Sequence, residues 1–382
     1  MRKLRKFLMW LLVIVVVVAL IAISVWDPPL LPWILLVLVL LAWWLTPVRG
    51  LIGQVAVPPD DAFLPEEQVQ WWYWSGHLQT DEGRRFGFEV VFFTFYNFPL
   101  LRDQLVHAAI TDVDANSFAF EEFVEFLLPP RLRDAFKFSS GKGNKVTASG
   151  SDVKDPRPTE AVHRDRLHSE VRGRYVLDLD LETKTVAVHC DGGPVTYAGG
   201  GFTYYYSRPL MQASGTLTID GRPHHVTGTA WFDRQYGELF QAVCDGWQWF
   251  AIQLDDNTQI MISDYRGTNA ASSMGSTTDA SGLTRRLHQD EFNVQILGYW
   301  TSPATGIVYP SGWEVTVRGQ TFNIQPLVKD QELAGKHRIW FGLLWNMGWV
   351  GPEYWEGCCS VTGDVSGKAY VELNGFTPPG QL

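Results

Sequence analysis

Two hydrophobic patterns divide the chain. Residues 8–26 (LMWLLVIVVVVALIAISVW) carry no charge and run to about the length that crosses a ~30 Å hydrocarbon core. After the Asp27-Pro28-Pro29 break, residues 30–45 form a shorter apolar stretch ending at the Trp43-Trp44 pair, which suits a membrane–water interface. Past residue 65 the pattern becomes short alternating runs: Arg85 to Phe93, Tyr175 to Leu181, Gly215 to Ile219, Val226 to Phe232, Trp247 to Leu254, Trp313 to Val317 and Ala369 to Leu373. Gly, Asp, Asn and Pro turns separate these runs, and no long segment keeps a helical period. The pattern predicts two transmembrane helices followed by an all-β domain.

A cleaved signal peptide competes for the first stretch, because Arg2, Lys3, Arg5 and Lys6 resemble a basic n-region. The apolar run is long for that, and no clear small-x-small site follows. Retention places the protein in a membrane, with the inner membrane of a bacterium as the expected location. The positive-inside rule puts the N-terminus in the cytoplasm. A complete hairpin would return the chain to that side, near Arg49; a second stretch lying in the interface would leave the β domain outside.

The domain reading follows: a membrane anchor over 1–49, a Gly- and Pro-rich linker over 50–65, and β units over 66–225 and 226–382. Asp81-Glu82-Gly83, Asp220-Gly221 and Asp255-Asp256-Asn257 are hairpin connections with residues that accept positive φ. Two internal echoes suggest duplication. Trp72-x-Trp74 with Asp81 matches Trp247-x-Trp249 with Asp256 at one offset. Gly215-x-Leu217-x-Ile219-x-Gly221 with Gly228-x-Ala230-Trp231 resembles Gly357-x-Cys359-x-Val361-x-Gly363 with Gly367-x-Ala369-Tyr370. Antiparallel units of this kind close into barrels, and barrels of about eight strands can enclose one small ligand.

Composition narrows the function. Aromatics make up 14% of the 382 residues, 17 of them Trp, against 19% charged, which gives apolar mass for a core and for a ligand site. The net charge is −10 with no basic run past the N-terminus, which excludes nucleic acid. Cys190, Cys244, Cys358 and Cys359 lack zinc-site spacing; they read as buried thiols, with a Cys190–Cys244 bridge open in an oxidising compartment. No nucleophile elbow, phosphate loop or dinucleotide fingerprint occurs, and neither a cofactor nor a metal is expected. His224-His225 are adjacent, so on a strand they face opposite ways.

Several blocks are familiar as a set. Residues 71–78 (WWYWSGHL) and 83–89 (GRRFGFE) resemble the opening of the AttH-like and carotenoid 1,2-hydratase (CrtC-like) lipocalin superfamily. The blocks His107 to Asp112, Tyr205 to Pro209, Gly228 to Gly237, Gly246 to Trp249, Tyr309 to Trp313 and Tyr354 to Gly357 continue the resemblance in order. It implies two tandem lipocalin-like antiparallel barrels and work on apolar compounds, including water addition to carotenoid double bonds. The chain departs from the hydratases at Phe232, where they carry His, and near Ser263-Asp264-Tyr265, where they carry a Tyr-x-Asp pair.

Protonating an alkene requires a carboxyl whose burial raises its pKa, with aromatic faces to steady a carbocation. Asp233, flanked by Trp231, Phe232 and Tyr236, is the candidate acid; an Asp233–Arg234 ion pair closing a barrel end is the competing reading. His77 and Glu89 are expected to point into one barrel interior as further catalytic groups, with a satisfied core histidine as the alternative for His77. Trp72, Trp74, Trp231, Tyr236, Trp247 and Trp249 are the candidate ligand-binding residues. Two functions remain: a membrane-anchored protein binding a lipid, isoprenoid or similar apolar molecule, and a hydratase or isomerase acting on a double bond of an isoprenoid, carotenoid or polyketide.

Overall fold

A computed structural model describes residues 53–376, apart from 58, 65, 66, 68, 99–100, 128–136, 151–161, 199, 239–245 and 336–352. The apolar stretches 8–26 and 30–45 lie outside the described residues. Among the described residues, no helix is long and apolar enough to cross a membrane.

The first sheet takes β1 (Val69–Thr80), β2 (Arg85–Phe98), β3 (Leu101–Asp112), β4 (Ser117–Leu127), β5 (Lys137–Ser140), β6 (Val146–Gly150), β7 (His163–Val171), β8 (Tyr175–Thr183), β9 (Ala187–Val188), β10 (Val195–Thr196), β11 (Phe202–Ile219) and β12 (Arg222–Glu238). The second takes β13 (Trp247–Leu254), β14 (Gln259–Tyr265), β15 (Met274–Thr278), β16 (Thr284–Leu287) and β17 (Phe292–Ile296). After the separate pair β18 (Tyr299–Thr301) and β19 (Val308–Pro310), it continues with β20 (Trp313–Val317), β21 (Gln320–Pro326), β22 (Glu332–Leu333), β23 (Tyr354–Gly363) and β24 (Gly367–Asn374). Each sheet is antiparallel and nearly closed, its first strand pairing with its last: β1 with β12, β13 with β24. The all-β, two-barrel expectation holds. The boundary does not fall at 225/226, because Arg222–Glu238 is one continuous strand of the first sheet; the change of sheet comes between Glu238 and Trp247.

Strand alternation sorts the side chains into three cores. In β1, β2 and β12 the even-numbered residues fill the first barrel: Trp72, Trp74, Phe88, Val90, Phe92, Ala230, Phe232 and Tyr236 are all buried there. Phe250, Ile252, Trp313, Trp355 and Val371 fill the second. The opposite faces of the same strands meet between the barrels, where Tyr73, Tyr205, Trp231, Trp249, Met261, Cys358 and Tyr370 form a third core. A bulge at Pro209 and Leu210 switches the parity of β11, so Tyr204 and Tyr206 but also Met211 and Ala213 point inward. A single extra residue in a strand does this because the side-chain period is two.

Residues 50–65 are not simply a linker. Asp60 and Asp61 sit on a 3-10 turn and are buried, and Phe63 stacks on Trp72 at 6.4 Å. Arg208 bridges Asp61 and, at 2.8 Å, Asp165, with both Asp61 and Asp165 largely buried. Arg234 donates to the carbonyls of Asp60 (2.9 Å) and Ala62 (3.1 Å) and lies over the Trp72 ring at 4.0 Å. Buried guanidinium groups need such partners, since an unpaired charge inside a barrel is costly. The segment closes one end of the first barrel.

The second echo is structural: it maps the β11–β12 hairpin onto β23–β24 and keeps the facing, with Ala230 and Ala369 inside and Trp231 and Tyr370 between the barrels. The first echo is one residue out. Thr80 and Leu254 close equivalent hairpins, donating to Arg84 O and Thr258 O at 2.9 Å in each case. Tyr73 and Ser75, rather than Trp72 and Trp74, therefore correspond to Trp247 and Trp249.

Candidate functional site

The outer faces of β1, β2, β3, β11 and β12 pack against those of β13, β14, β23 and β24 to form a seam. His77 Nε2 lies 3.0 Å from Ala369 O, His107 Nδ1 2.5 Å from the Tyr354 hydroxyl, and Thr229 donates to Gln253 at 2.7 Å. Gly87 permits close approach here, since a Cβ on it would lie 2.6 Å from Cys358 Sγ.

Asp233 is central to the seam. Three donors converge on its buried carboxyl: Tyr205 OH on Oδ2 at 2.5 Å, Ser207 OH on Oδ1 at 2.5 Å and Trp231 Nε1 on Oδ1 at 2.6 Å. Both hydroxyls are tied to residues of the second barrel. Trp249 Nε1 donates to Tyr205 OH at 3.1 Å. Ser207 lies 2.7 Å from His189 Nε2, whose Nδ1 is 3.1 Å from Ser276 Oγ. Because the Ser207 hydroxyl is committed to Asp233, His189 donates from Nε2 and accepts at Nδ1. Burial drives His189 down to about 3, which keeps it neutral. Burial also pushes Asp233 up to about 7, against the lowering effect of its three donors.

A second set of acids lies alongside. Glu89 stands opposite Ser75 across β1 and β2, and Glu356 opposite Glu372 across β23 and β24. Burial raises all three: Glu89 to about 8, with Glu372 adding to the rise and a hydrogen bond with Glu356 opposing it; Glu372 to about 8, with Asp233 adding to it; and Glu356 well above its ordinary value, with Glu89 and Glu372 adding to it. Trp247 Nε1 donates to Glu372 at 3.2 Å. These groups are neutral acids near pH 7, able to give a proton to or hydrogen-bond a bound molecule.

Asp233, Glu89, His77 and Trp231 of the first barrel and Trp247 and Trp249 of the second thus come together, but on the facing outer walls of the two barrels, not in a lumen. His77 accepts no acidic partner; burial holds it down at about 4. Trp72, Trp74 and Tyr236 are on the other side of the barrel wall. Trp72 Nε1 donates to Asp61 O at 2.7 Å, Trp74 Nε1 to Asp165 at 2.9 Å, and Tyr236 OH to Asp60. An Asp233–Arg234 ion pair is absent, since adjacent strand residues point to opposite faces. Cys190, Cys358 and Cys359 are free thiols, and Cys244 lies outside the described residues. No three His, Cys, Asp or Glu among the described residues are placed to hold a metal ion. Tyr205, Ser207, His189, Glu356 and Glu372 were not singled out by the sequence reading. The signals were present, in the Tyr205-Tyr206-Ser207 block and in Glu372, two residues past the echo of Trp231.

Two nearly closed antiparallel barrels packed wall to wall define a tandem lipocalin-like protein. The AttH-like family matches residues 52–376, and the chain belongs to that family. It is similar to the crystal structure of an AttH protein from Nitrosomonas europaea, with 25% identity over 86% of this chain and 100% of the other and a TM-score of 0.70. The fold is also shared with kievitone hydratase from Nectria haematococca, at 16% identity, covering 87% of this chain and 97% of that one, with a TM-score of 0.63. No curated protein matches the chain.

Proposed function

We propose that this AttH-like protein is anchored in a membrane by residues 8–26 and 30–45 and binds an apolar ligand, a lipid, isoprenoid or similar compound, at the seam between its barrels. The observation that carries the reading is the concentration of Trp231, Trp247, Trp249, Tyr73 and Tyr205 around buried acids on the seam, while the barrel interiors are filled by their own side chains. Aromatic walls supply apolar area, and a few polar groups among them orient a ligand. Purification of the full-length protein in mild detergent, followed by mass spectrometry of bound organic compounds, tests it. One stoichiometric, chemically unchanged lipid or isoprenoid is expected; protein free of any organic ligand would remove the reading.

A second reading, a lyase or isomerase acting on a double bond, draws on one observation: burial keeps Asp233 protonated up to about 7 beside the indoles of Trp231 and Trp249. Such an acid can protonate an alkene and leave the cation facing aromatic rings. Recovery of a substrate–product pair differing by water or by double-bond position would favour it.

A further inference from the structure

The seam gathers buried oxygen atoms that find little but one another. Both carboxyl oxygens of Glu89, Oε2 of Glu356, the Ser75 hydroxyl and the phenols of Tyr73 and Tyr370 are buried without a hydrogen bond of good geometry; the interactions they do have run within the set, Glu356 with Glu89 and Tyr73, and Tyr73 with Ser75. The topology gathers them. Tyr73 and Ser75 share one face of β1, with Glu89 beside Ser75 on β2; Tyr370 shares a face of β24 with Glu372, which stands beside Glu356 on β23. Glu89 and Glu356 act electrostatically on the phenols of both Tyr73 and Tyr370, so the two phenols lie against the acids rather than beside a separate site.

The kind of partner follows from counting donors and acceptors. Every atom in the set is an oxygen. A phenol or hydroxyl brings one hydrogen, a carboxyl at most one, and each oxygen keeps lone pairs to fill. The Asp233 carboxyl differs, being already met by three donors. A ketone or ether oxygen would accept from one or two of these hydroxyls but bring no hydrogen for the lone pairs that remain. A metal ion is not what the geometry suits, as no three ligating groups among the described residues are arranged for one. A primary ammonium brings three donors, no acceptor and a positive charge that lets the acids ionise. The rings of Tyr73 and Trp231 each meet Trp249 edge to face, at 5.4 and 6.2 Å, and indole and phenol faces attract a cation.

We propose that Glu89 and Glu356, with Tyr73, Ser75 and Tyr370, form a receptor for the primary ammonium group of an apolar amine. This rests on the reading that the seam takes an apolar ligand and specifies that ligand's polar end.

Isothermal titration of the full-length protein with hexylamine, hexan-1-ol and hexanoate, which share one tail, tests the proposal. Hexylamine is expected to bind at least about tenfold more tightly than hexan-1-ol, the gain of a charge-assisted contact, and hexanoate more weakly than either. Glu89→Gln and Glu356→Gln, which keep side-chain volume and hydrogen-bonding capacity, should bring the amine to the level of the alcohol and weaken the amine far more than the alcohol. Alcohol binding as tight as amine, or tighter hexanoate, would overturn the ammonium receptor while leaving the seam as an apolar site. Failure of all three to bind would remove the seam reading as well. Should a Gln variant not fold, the amine-to-alcohol ratio of the unaltered protein decides alone.

Discussion

Asp233 and Glu372 stand at corresponding places in the two barrels. Each lies on the last strand, two residues past an aromatic that faces the seam, Trp231 in one and Tyr370 in the other. Their strand partners also correspond: Ser207 faces Asp233 and Glu356 faces Glu372. The corresponding hairpins therefore place an acid of each barrel on the shared wall, and Asp233 raises Glu372 electrostatically. The two halves diverge at the neighbour. Serine gives Asp233 a donor, whereas Glu356 gives Glu372 a second acid.

The serine makes Asp233 testable by itself. Ser207→Ala removes a donor that favours the carboxylate, so Asp233 should hold its proton to a pH above its present value of about 7. The same change leaves His189 Nε2–H without its acceptor, at a cost of about 1–3 kcal/mol in stability. Infrared difference spectra, referenced to Asp233→Asn, report the protonated carbonyl band through a titration. A midpoint that stays or falls would contradict the wiring described.

Stability should decline between pH 6.5 and about 8. Over that interval folded Glu89 and Glu372, raised to about 8, and Asp233, raised to about 7, still bind protons that the unfolded chain has released. A group with a raised folded pKa stabilises below its unfolded value and loses that contribution as pH rises through the folded one. Below pH 6.5 the histidines oppose this. His77 and His163 at about 4 and His189 at about 3 stay neutral in the fold but charge when unfolded, so acid destabilises through them. Thermal melting of the full-length protein should give a lower Tm at pH 8.5 than at pH 6.5, with Glu89→Gln reducing the difference; a flat or rising Tm would contradict it.

The closed end of the first barrel depends on Arg208. Its guanidinium joins Asp61 to Asp165 and lies over the Phe232 ring at 4.5 Å. Arg208→Met strands two buried carboxyls, and removing one partner of a buried pair costs about 3–5 kcal/mol. Met in place of Arg208 together with Asn in place of both Asp61 and Asp165 should recover part of that loss, because no charge is then left alone. Urea unfolding of the three forms measures this. A single variant as stable as the unaltered protein would show that the 55–63 segment is not held by these pairs.

Period-two alternation explains what could and could not be read from the residues. It located the strands, since Trp247 to Leu254 or Trp313 to Val317 has no other way to bury one face. It allowed Glu89 and His77 to share a face, which needed the pairing of β1 with β2 to fix, and alternation gives no sign of which face is the interior. In a barrel packed against a twin both faces are buried, so Tyr73 and Trp231 look as core-like as Trp72 and Phe232. Asp233 stood out because a carboxyl among aromatics is unusual. Its hydroxyl partners did not, because Tyr205 and Ser207 reach it only through the pairing of β11 with β12, and His189 only through a loop.

The tightness of the seam leads to the remaining prediction. Gly87 lies on the outer face of β2, opposite His77 on β1, where any Cβ would meet the Cys358 side chain at 2.6 to 2.8 Å. Neither partner can yield easily. Cys358 is fully buried on the mid-section of β23, its amide donates to Gln331 at 3.1 Å, and Gln331 in turn accepts from Thr111 at 2.7 Å. Gly87→Ala should therefore cost about 1–3 kcal/mol, as overpacking does. The strain should be relieved by separation of the barrels rather than by a change within either one. Cys358 reports this separation, since burial pushes its thiol up to about 12 and shields it from reagents. In the Gly87→Ala variant a maleimide should label Cys358 faster under native conditions, while Cys359, which faces the interior of the second barrel, keeps its protection. Equal acceleration at both thiols would mean that the barrel itself has loosened, and no acceleration at either would mean that the seam tolerates the extra methyl.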